Sequence, residues 1–176
     1  MRQVIYGGAM SLDGYIAGPN GEYDWIVMDP DIDFAEMSAR FDTYLIGRKT
    51  YDAMRRMGSD AASAHGIENI VFSRTLQPAE HPTITLRNDA VREVTELRQR
   101  AGKDIALFGG GELFRSLLEA GLVDGIEMGV VPVLLGGGIP LLASPALRAR
   151  LKLRGHRVYE KTGTVGLQYD IVQPQR

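Results

Sequence analysis

The chain has 176 residues, 44% of them hydrophobic, with 20 Lys plus Arg against 22 Asp plus Glu and no cysteine. This is the composition of an ordinary globular domain. It excludes a disordered or collagen-like chain, disulfides, thiolate metal sites and cysteine nucleophiles, and bulk charge gives no support to a nucleic-acid face. The opening MRQVIYGGAM lacks the apolar stretch of a signal peptide, and no run approaches the roughly 18 apolar residues of a membrane span, so a cytoplasmic domain over 1–176 is expected, with neither nucleic acid nor membrane as partner. Glycine is the one abnormal count, 21 residues or about 12% against an average near 7%.

Residues 3–9 (QVIYGGA) read as a strand, followed by a turn-rich loop, SLDGYIAGPNGEYDW. Between Asp31 and Phe41, the apolar residues Phe34, Met37 and Phe41 recur at i, i+3 and i+7, which predicts a helix of about three turns. TYLIG (43–47) is a strand, and a helix begins near Thr50, followed by an exposed turn-rich stretch to Gly66. ENIVFS and PTITL read as strands. Asn88 or Asp89 can cap a helix running to about Arg100 with Val91, Val94 and Leu97 inward. DIALF is a strand of the type buried on both faces; GGG follows it, and then a helix that stops at Gly121. Residues 124–133, 153–160 and 164–172 are strand-like with short connections, which predicts antiparallel pairing. Alternating strands and helices followed by strands alone give an α/β domain with a mixed sheet.

Three strand ends carry groups suited to phosphate. Phe108 is followed by Gly109, Gly110 and Gly111 and a helix opening at Glu112, a pattern that reads either as a phosphate seat or as a tight turn. TYLIG delivers Arg48, Lys49 and Thr50 to a helix start, and NIVFS delivers Ser73 and Arg74. Strand ends are often basic for solvation alone. Ligands of open α/β sheets nevertheless bind at the carboxyl ends of strands, and three such ends together favour a ligand. The fingerprint GxGxxG fails at both glycine triplets, because its sixth position is Phe114 or Leu141, and no GKS or GKT is present. His65, His81 and His156 lack metal-ligand spacing, and GxSxG is absent. Gly136–Gly138 fits either a substrate-side loop or a bulge.

GRKTY (47–51), SR (73–74) and FGGGELF (108–114) resemble the cofactor motifs of the dihydrofolate reductase superfamily. MSLDGYIAGPNGEYDW resembles its amino-terminal strand and flexible loop. VVPVLLGGGIPLL (130–142) resembles the subgroup that includes the reductase domain of bifunctional riboflavin-biosynthesis proteins. The resemblance implies a three-layer α/β fold with a mixed, mostly parallel central sheet and antiparallel carboxyl-terminal strands. It also implies an NADPH-dependent oxidoreductase with a small-molecule substrate, and a homodimer. Carried over, Arg48, Ser73 and Arg74 hold the adenosine 2′-phosphate. Gly47, Lys49 and Thr50 approach the pyrophosphate from one helix start, and Gly110, Gly111, Glu112 and Leu113 approach it from the other. Ala9, Ile16 and Ala17 line the nicotinamide side, and Gly109-Gly110 is the expected cis peptide.

The cofactor carries the hydride chemistry, so the protein must supply orientation and a proton. Counting back from Gly47, Asp31 matches the superfamily's substrate-facing acid, and on a helical wheel it lies nearer the apolar face than Asp33 or Glu36. Asp31 and Asp33 equally suit first-turn acids complementing the helix dipole. Asp13 can contact substrate or close an Asx-turn. Tyr15 and Trp25 are candidates for shaping the pocket. Tyr15 departs from the basic residue that commonly follows SLDG in riboflavin-pathway reductases, and GRKT is closer to dihydrofolate reductase. The resemblance favours a 5-amino-6-(5-phosphoribosylamino)uracil reductase, with dihydrofolate reductase second and a non-catalytic NADP(H)-binding module as the alternative from another class.

Overall fold

The computed structural model describes residues 1–56, 66–146 and 148–172. In chain order the elements are β1 (Val4–Ser11), β2 (Tyr15–Ala17), α1 (Phe34–Ala39), β3 (Phe41–Gly47), α2 (Arg48–Arg56), β4 (Glu68–Phe72), β5 (Thr85–Arg87), α3 (Ala90–Leu97), β6 (Asp104–Gly109), α4 (Gly111–Glu119), β7 (Gly125–Val131), β8 (Ile139–Pro140), β9 (Arg150–Tyr159) and β10 (Thr164–Val172). Eight strands form one sheet in the order β5-β4-β3-β6-β1-β7-β10-β9. The six from β5 to β7 are parallel, and β10 runs antiparallel between β7 and β9. The sheet is mixed and mostly parallel, as the sequence implied.

The central strands are apolar on both faces, and the two faces feed different layers. Tyr6, Leu45, Ile70, Leu107 and Ile126 pack with Val94 and Leu97 of α3 and Phe114 and Leu117 of α4. Their neighbours Ile46 and Val71 point the other way and pack with Tyr51 of α2. The result is three layers. On the α2 face, that helix covers the half of the sheet around β3 and β4. The face of β1, β7, β10 and β9 carries Gly7, Ala9, Gly129 and Gly166, all of which line an open cleft.

Several boundaries differ from the sequence reading. The helix expected from Asp31 to Phe41 has six residues, capped by the Asp33 carboxylate on the Glu36 amide, and Phe41 already begins β3. Its apolar residues are not core: Phe34 and Met37 are each 49% exposed and face the cleft. A helical stripe marks a face turned toward something apolar, and here that is a cavity rather than the interior. α2 starts at Arg48 rather than Thr50. α3 is capped by Asp89 and ends at Leu97, with Val91 exposed. The turn-rich stretch expected up to Gly66 falls on 57–65, outside the described residues.

The pair β2–β8 was not anticipated. Two and three residues are too few for a hydrophobic period, and the pairing depends on glycine. At Gly138 the backbone has φ +146°, and an added Cβ would stand 2.2 Å from the Ala17 carbonyl oxygen. The second glycine triplet is therefore where one segment crosses another at close range.

Candidate functional site

One end of the sheet gathers the predicted strand ends. In register, Phe72 of β4 lies beside Gly47 of β3, and Ile46 lies beside Gly109 of β6. The residues that follow these strands therefore emerge side by side. Arg48, Lys49, Thr50, Ser73, Arg74, Gly109, Gly110, Gly111, Glu112 and Leu113 all line one cleft of about 2100 Å³, together with Ala9, Ile16, Ala17 and Gly47. A single small-ligand pocket is roughly 300–1,000 Å³, so the cleft has room for a dinucleotide and a second ligand.

Two helices begin at this cleft. α4 is preceded by Gly110, which offers no side-chain cap, and its first helical bond runs from the Phe114 amide to the Gly110 carbonyl. The amides of Gly111, Glu112 and Leu113 therefore remain as donors at the positive end of a nine-residue helix. α2 begins directly at Arg48 with no acidic residue in its first turn. Gly109-Gly110 is a cis peptide, as the resemblance implied. Gly111 is dictated by chain packing as much as by ligand access: a Cβ there would lie 2.8 Å from the Pro140 carbonyl oxygen.

The cations of the site differ in how they are held. Arg48 Nε donates to Asp52 Oδ2 at 2.7 Å, and its Nη1 donates to Thr75 Oγ1 at 2.7 Å, so the guanidinium is fixed while facing the cleft. Lys49 is 87% exposed and reaches Glu112 at 3.4 Å. Arg74 is exposed at the same rim. The Ser73 hydroxyl accepts from the amides of Thr75 and Leu76, which folds the 73–76 turn and leaves its own proton to donate. Free amides at two helix starts, a braced arginine and a second arginine fit a phosphorylated dinucleotide.

The acids expected to serve the substrate are elsewhere. Asp31 does not line the cleft; its exposed carboxylate accepts from Lys161 Nζ at 2.7 Å, because the shortened α1 leaves it in the preceding turn. Asp13 is also outside. It accepts from the Ser11 hydroxyl and the amides of Leu135 and Gly136, so it ties the first loop to the segment before β8. The Ser11 hydrogen bond, joined by the two amides, outweighs desolvation and holds its carboxyl below the usual range. Tyr15 and Trp25 do not line the cleft either. Tyr15 is held by its amide on the Ser11 hydroxyl and by pairing with Pro140, and the Trp25 indole N–H turns back to the Glu22 carbonyl. The structure thus places the two candidate acids and the two candidate pocket-shaping aromatics outside the cleft, each held by contacts within or between loops.

Sequence reasoning missed Asp29, Glu127 and the stack of Tyr44 on Phe108. Asp29 is 2% exposed and accepts from the Asp31 amide and from the Thr162 amide and hydroxyl, which fastens the loop before α1 to the β9–β10 turn. Burial alone would raise its pKa; these hydrogen bonds and nearby Lys161 reverse that and lower it. Tyr44 and Phe108 stack at 5.9 Å on the cleft wall, and burial raises the Tyr44 pKa. Among the described residues, no three His, Asp or Glu side chains cluster to hold a metal. His81 is buried against the Tyr51 hydroxyl, and His65 lies outside the described residues. No described helix is long and apolar enough to cross a membrane.

Comparison with known proteins agrees with this geometry. The model of the RibD C-terminal domain matches residues 2–165. The chain belongs to the RibD C-terminal domain family. A curated relative, YyaP of Bacillus subtilis (strain 168), itself uncharacterised, is 35% identical over 178 residues covering 96% of this chain and 94% of YyaP. A Shewanella sp. PV-4 protein provisionally described as a riboflavin biosynthesis protein has a TM-score of 0.81 at 24% identity, with 97% of this chain and 99% of that one covered. A Thermotoga maritima deaminase and 5-amino-6-(5-phosphoribosylamino)uracil reductase has a TM-score of 0.73 at 14% identity, covering 97% of this chain and 57% of that one. Dihydrofolate reductase from Enterococcus faecalis, complexed with NADP(H), has a TM-score of 0.71 at 16% identity, with 97% of each chain covered. The fold of this family member is thus that of dihydrofolate reductase.

Proposed function

We propose that the chain is an NADPH-dependent reductase of the riboflavin-pathway type, which delivers hydride to a small heterocyclic or ribosylamino substrate. The observation that carries this reading is the convergence of two helix starts with Arg48 and Arg74 on one cleft whose remaining floor is left open beside β1. Family membership and the reductases among its structural neighbours support it.

Bound NADPH supplies the hydride. Arg48, braced by Asp52 and Thr75, and Arg74 take the 2′-phosphate; the amides at the starts of α2 and α4 take the pyrophosphate. Ala9, Ile16 and Ala17 hold the nicotinamide side and keep water from it. Phe34 and Met37 wall the opposite side with apolar surface. Dihydrofolate reduction is the second reading, favoured by the cofactor-side motif, though the exposed Asp31, the acid the resemblance implied for it, lies outside the cleft.

A homodimer is proposed alongside this. β9 is an edge strand on which Leu151, Leu153 and Val158 are 45%, 51% and 56% exposed, a surface that a second copy would cover. Elution at twice the 19.3 kDa chain mass is expected on sizing chromatography; elution as a monomer refutes it. The function itself is tested by following NADPH oxidation against a substrate panel that includes 5-amino-6-ribosylaminouracil phosphate and dihydrofolate. Turnover of the former supports the proposal. Saturable NADPH binding with no turnover of any candidate favours a binding module, and turnover of dihydrofolate alone favours the second reading.

A further inference from the structure

The floor of the cleft beyond the cofactor groove carries one feature that none of the motifs explains. Gly7 of β1, Glu127 of β7, Gln168 of β10 and Gly155 of β9 lie in register across four neighbouring strands. One row further along are Ala9, Gly129 and Gly166, also in register. Residues two apart on a strand share a face, so Gly7, Ala9, Gly129, Gly155 and Gly166 form a shallow platform, which also carries the side chains of Glu127, Gln168 and, beside Gly166, Arg157. A Cβ at Gly7 would meet nothing nearer than 3.7 Å, so no steric demand of the fold keeps that position bare.

Glu127 is 14% exposed at its side chain and lines the cleft. Arg40 Nη2 at 2.8 Å and Arg154 Nη2 at 2.5 Å both donate to the same oxygen, Oε1. No described residue donates to Oε2. Two guanidinium groups, one at the end of α1 and one on β9, therefore fix the carboxylate in one orientation with half of its acceptor capacity unfilled. Sequestering an ion pair costs desolvation that an apolar pair of similar volume avoids, so support of the sheet does not by itself call for this arrangement. An acceptor held on this platform between Gly7 and Gln168, two residues along from the row that contains Ala9, suits a planar ring laid on the glycines.

We infer that Glu127 Oε2 is the acceptor that positions the substrate, taking an N–H edge of a planar heterocycle resting on the floor formed by Gly7, Gly129 and Gly166. A carboxylate oxygen accepts and cannot donate, so Oε2 takes ring edges that present N–H and gives nothing to rings that present only acceptors. Arg40 and Arg154 act through Glu127 as positioning residues. This inference rests on the reductase reading of the cleft and extends it to the substrate.

The test uses a matched pair of probes, 2,4-diaminopyrimidine and unsubstituted pyrimidine, which has no N–H, titrated calorimetrically into the full chain with and without saturating NADPH. Wild type is expected to bind the diamino ring about tenfold or more tightly than pyrimidine, the difference expected of a charge-assisted hydrogen bond. Glu127→Gln should erase that ratio while NADPH affinity stays unchanged, and Glu127→Asp should restore part of it. A merely structural Glu127 would lower the melting temperature of Glu127→Gln without changing the ratio between probes. The inference is overturned if the ratio survives in Glu127→Gln, or if NADPH-loaded wild type shows no preference. Failure of NADPH to bind overturns the reductase reading instead, and the probe ratio measured without NADPH still decides the role of Glu127.

Discussion

The two halves of the cleft are built on different principles. The half proposed to take the cofactor is made of backbone: amides at the starts of α2 and α4, and strand ends that stop beside one another at Gly47, Phe72 and Gly109. Its few side chains, Arg48 and Ser73, are braced by residues within a few positions or on the adjacent loop. The half proposed to take the substrate is made of side chains from distant segments, with Arg40, Glu127 and Arg154 meeting across 87 and 27 positions of chain. Local architecture can be written as a motif; a floor assembled across four strands cannot.

The sharpest way to break this contrast is at Gly111, where the first half depends on backbone clearance. Gly111→Val places carbon atoms where the Pro140 carbonyl already lies at 2.8 Å. NADPH affinity is expected to fall by about 100-fold or more, with a melting-temperature loss from overpacking, as read by fluorescence titration and thermal denaturation. Next in size is the pair of cations. Arg48→Ala combined with Arg74→Ala should weaken NADPH by roughly 10- to 100-fold and leave NADH nearly unchanged, because only the 2′-phosphate loses charge-assisted hydrogen bonds. Equal losses for both nucleotides would place these arginines elsewhere.

A buried acid fastens the other half. Asp29→Asn leaves a donor facing the Thr162 or Asp31 amide and should cost about 1–3 kcal/mol in urea denaturation at neutral pH. The folded state lowers the Asp29 pKa below its ordinary 3.8, so its stabilisation is complete above that value and fades as pH falls through the lower folded value. The gap between wild type and variant should accordingly close in acid. A gap that widens below pH 3.8 contradicts the assignment. The smallest effect belongs to Asp31→Asn: about 0.2–1 kcal/mol for an exposed pair with Lys161, with unchanged turnover. A large loss of turnover would return Asp31 to the active site.

Legibility followed the same division. FGGGELF, GRKTY and SR marked one cleft because each is a strand end and helix start written within a few residues, and all of their residues except Tyr51 and Phe114, which pack in the cores, line it. The sheet's parallel centre and antiparallel edge were legible from continuous apolar strands and short connections. The acids were not. Asp31 stood on a helix whose apolar stripe continued to Phe41, but Phe41 pairs with Asp104 in the sheet, and the shortened helix left Asp31 in solvent. Glu127 lies in GIEMGVV, a strand whose own pattern says only that it is buried, and its importance appears when Gly7, Gln168, Arg40 and Arg154 are brought beside it. The glycine excess divided likewise: part of it gives room around phosphate-suited amides, and part, as at Gly138, lets one segment cross another.

The most direct test of the central claim is an equilibrium titration of the purified wild-type chain with NADPH and, separately, NADH, followed by nucleotide fluorescence. Saturable NADPH binding, at least tenfold tighter than NADH, is the result the Arg48–Arg74 rim and the two helix starts predict. Absence of NADPH binding, or equal affinity for the two nucleotides, would contradict it.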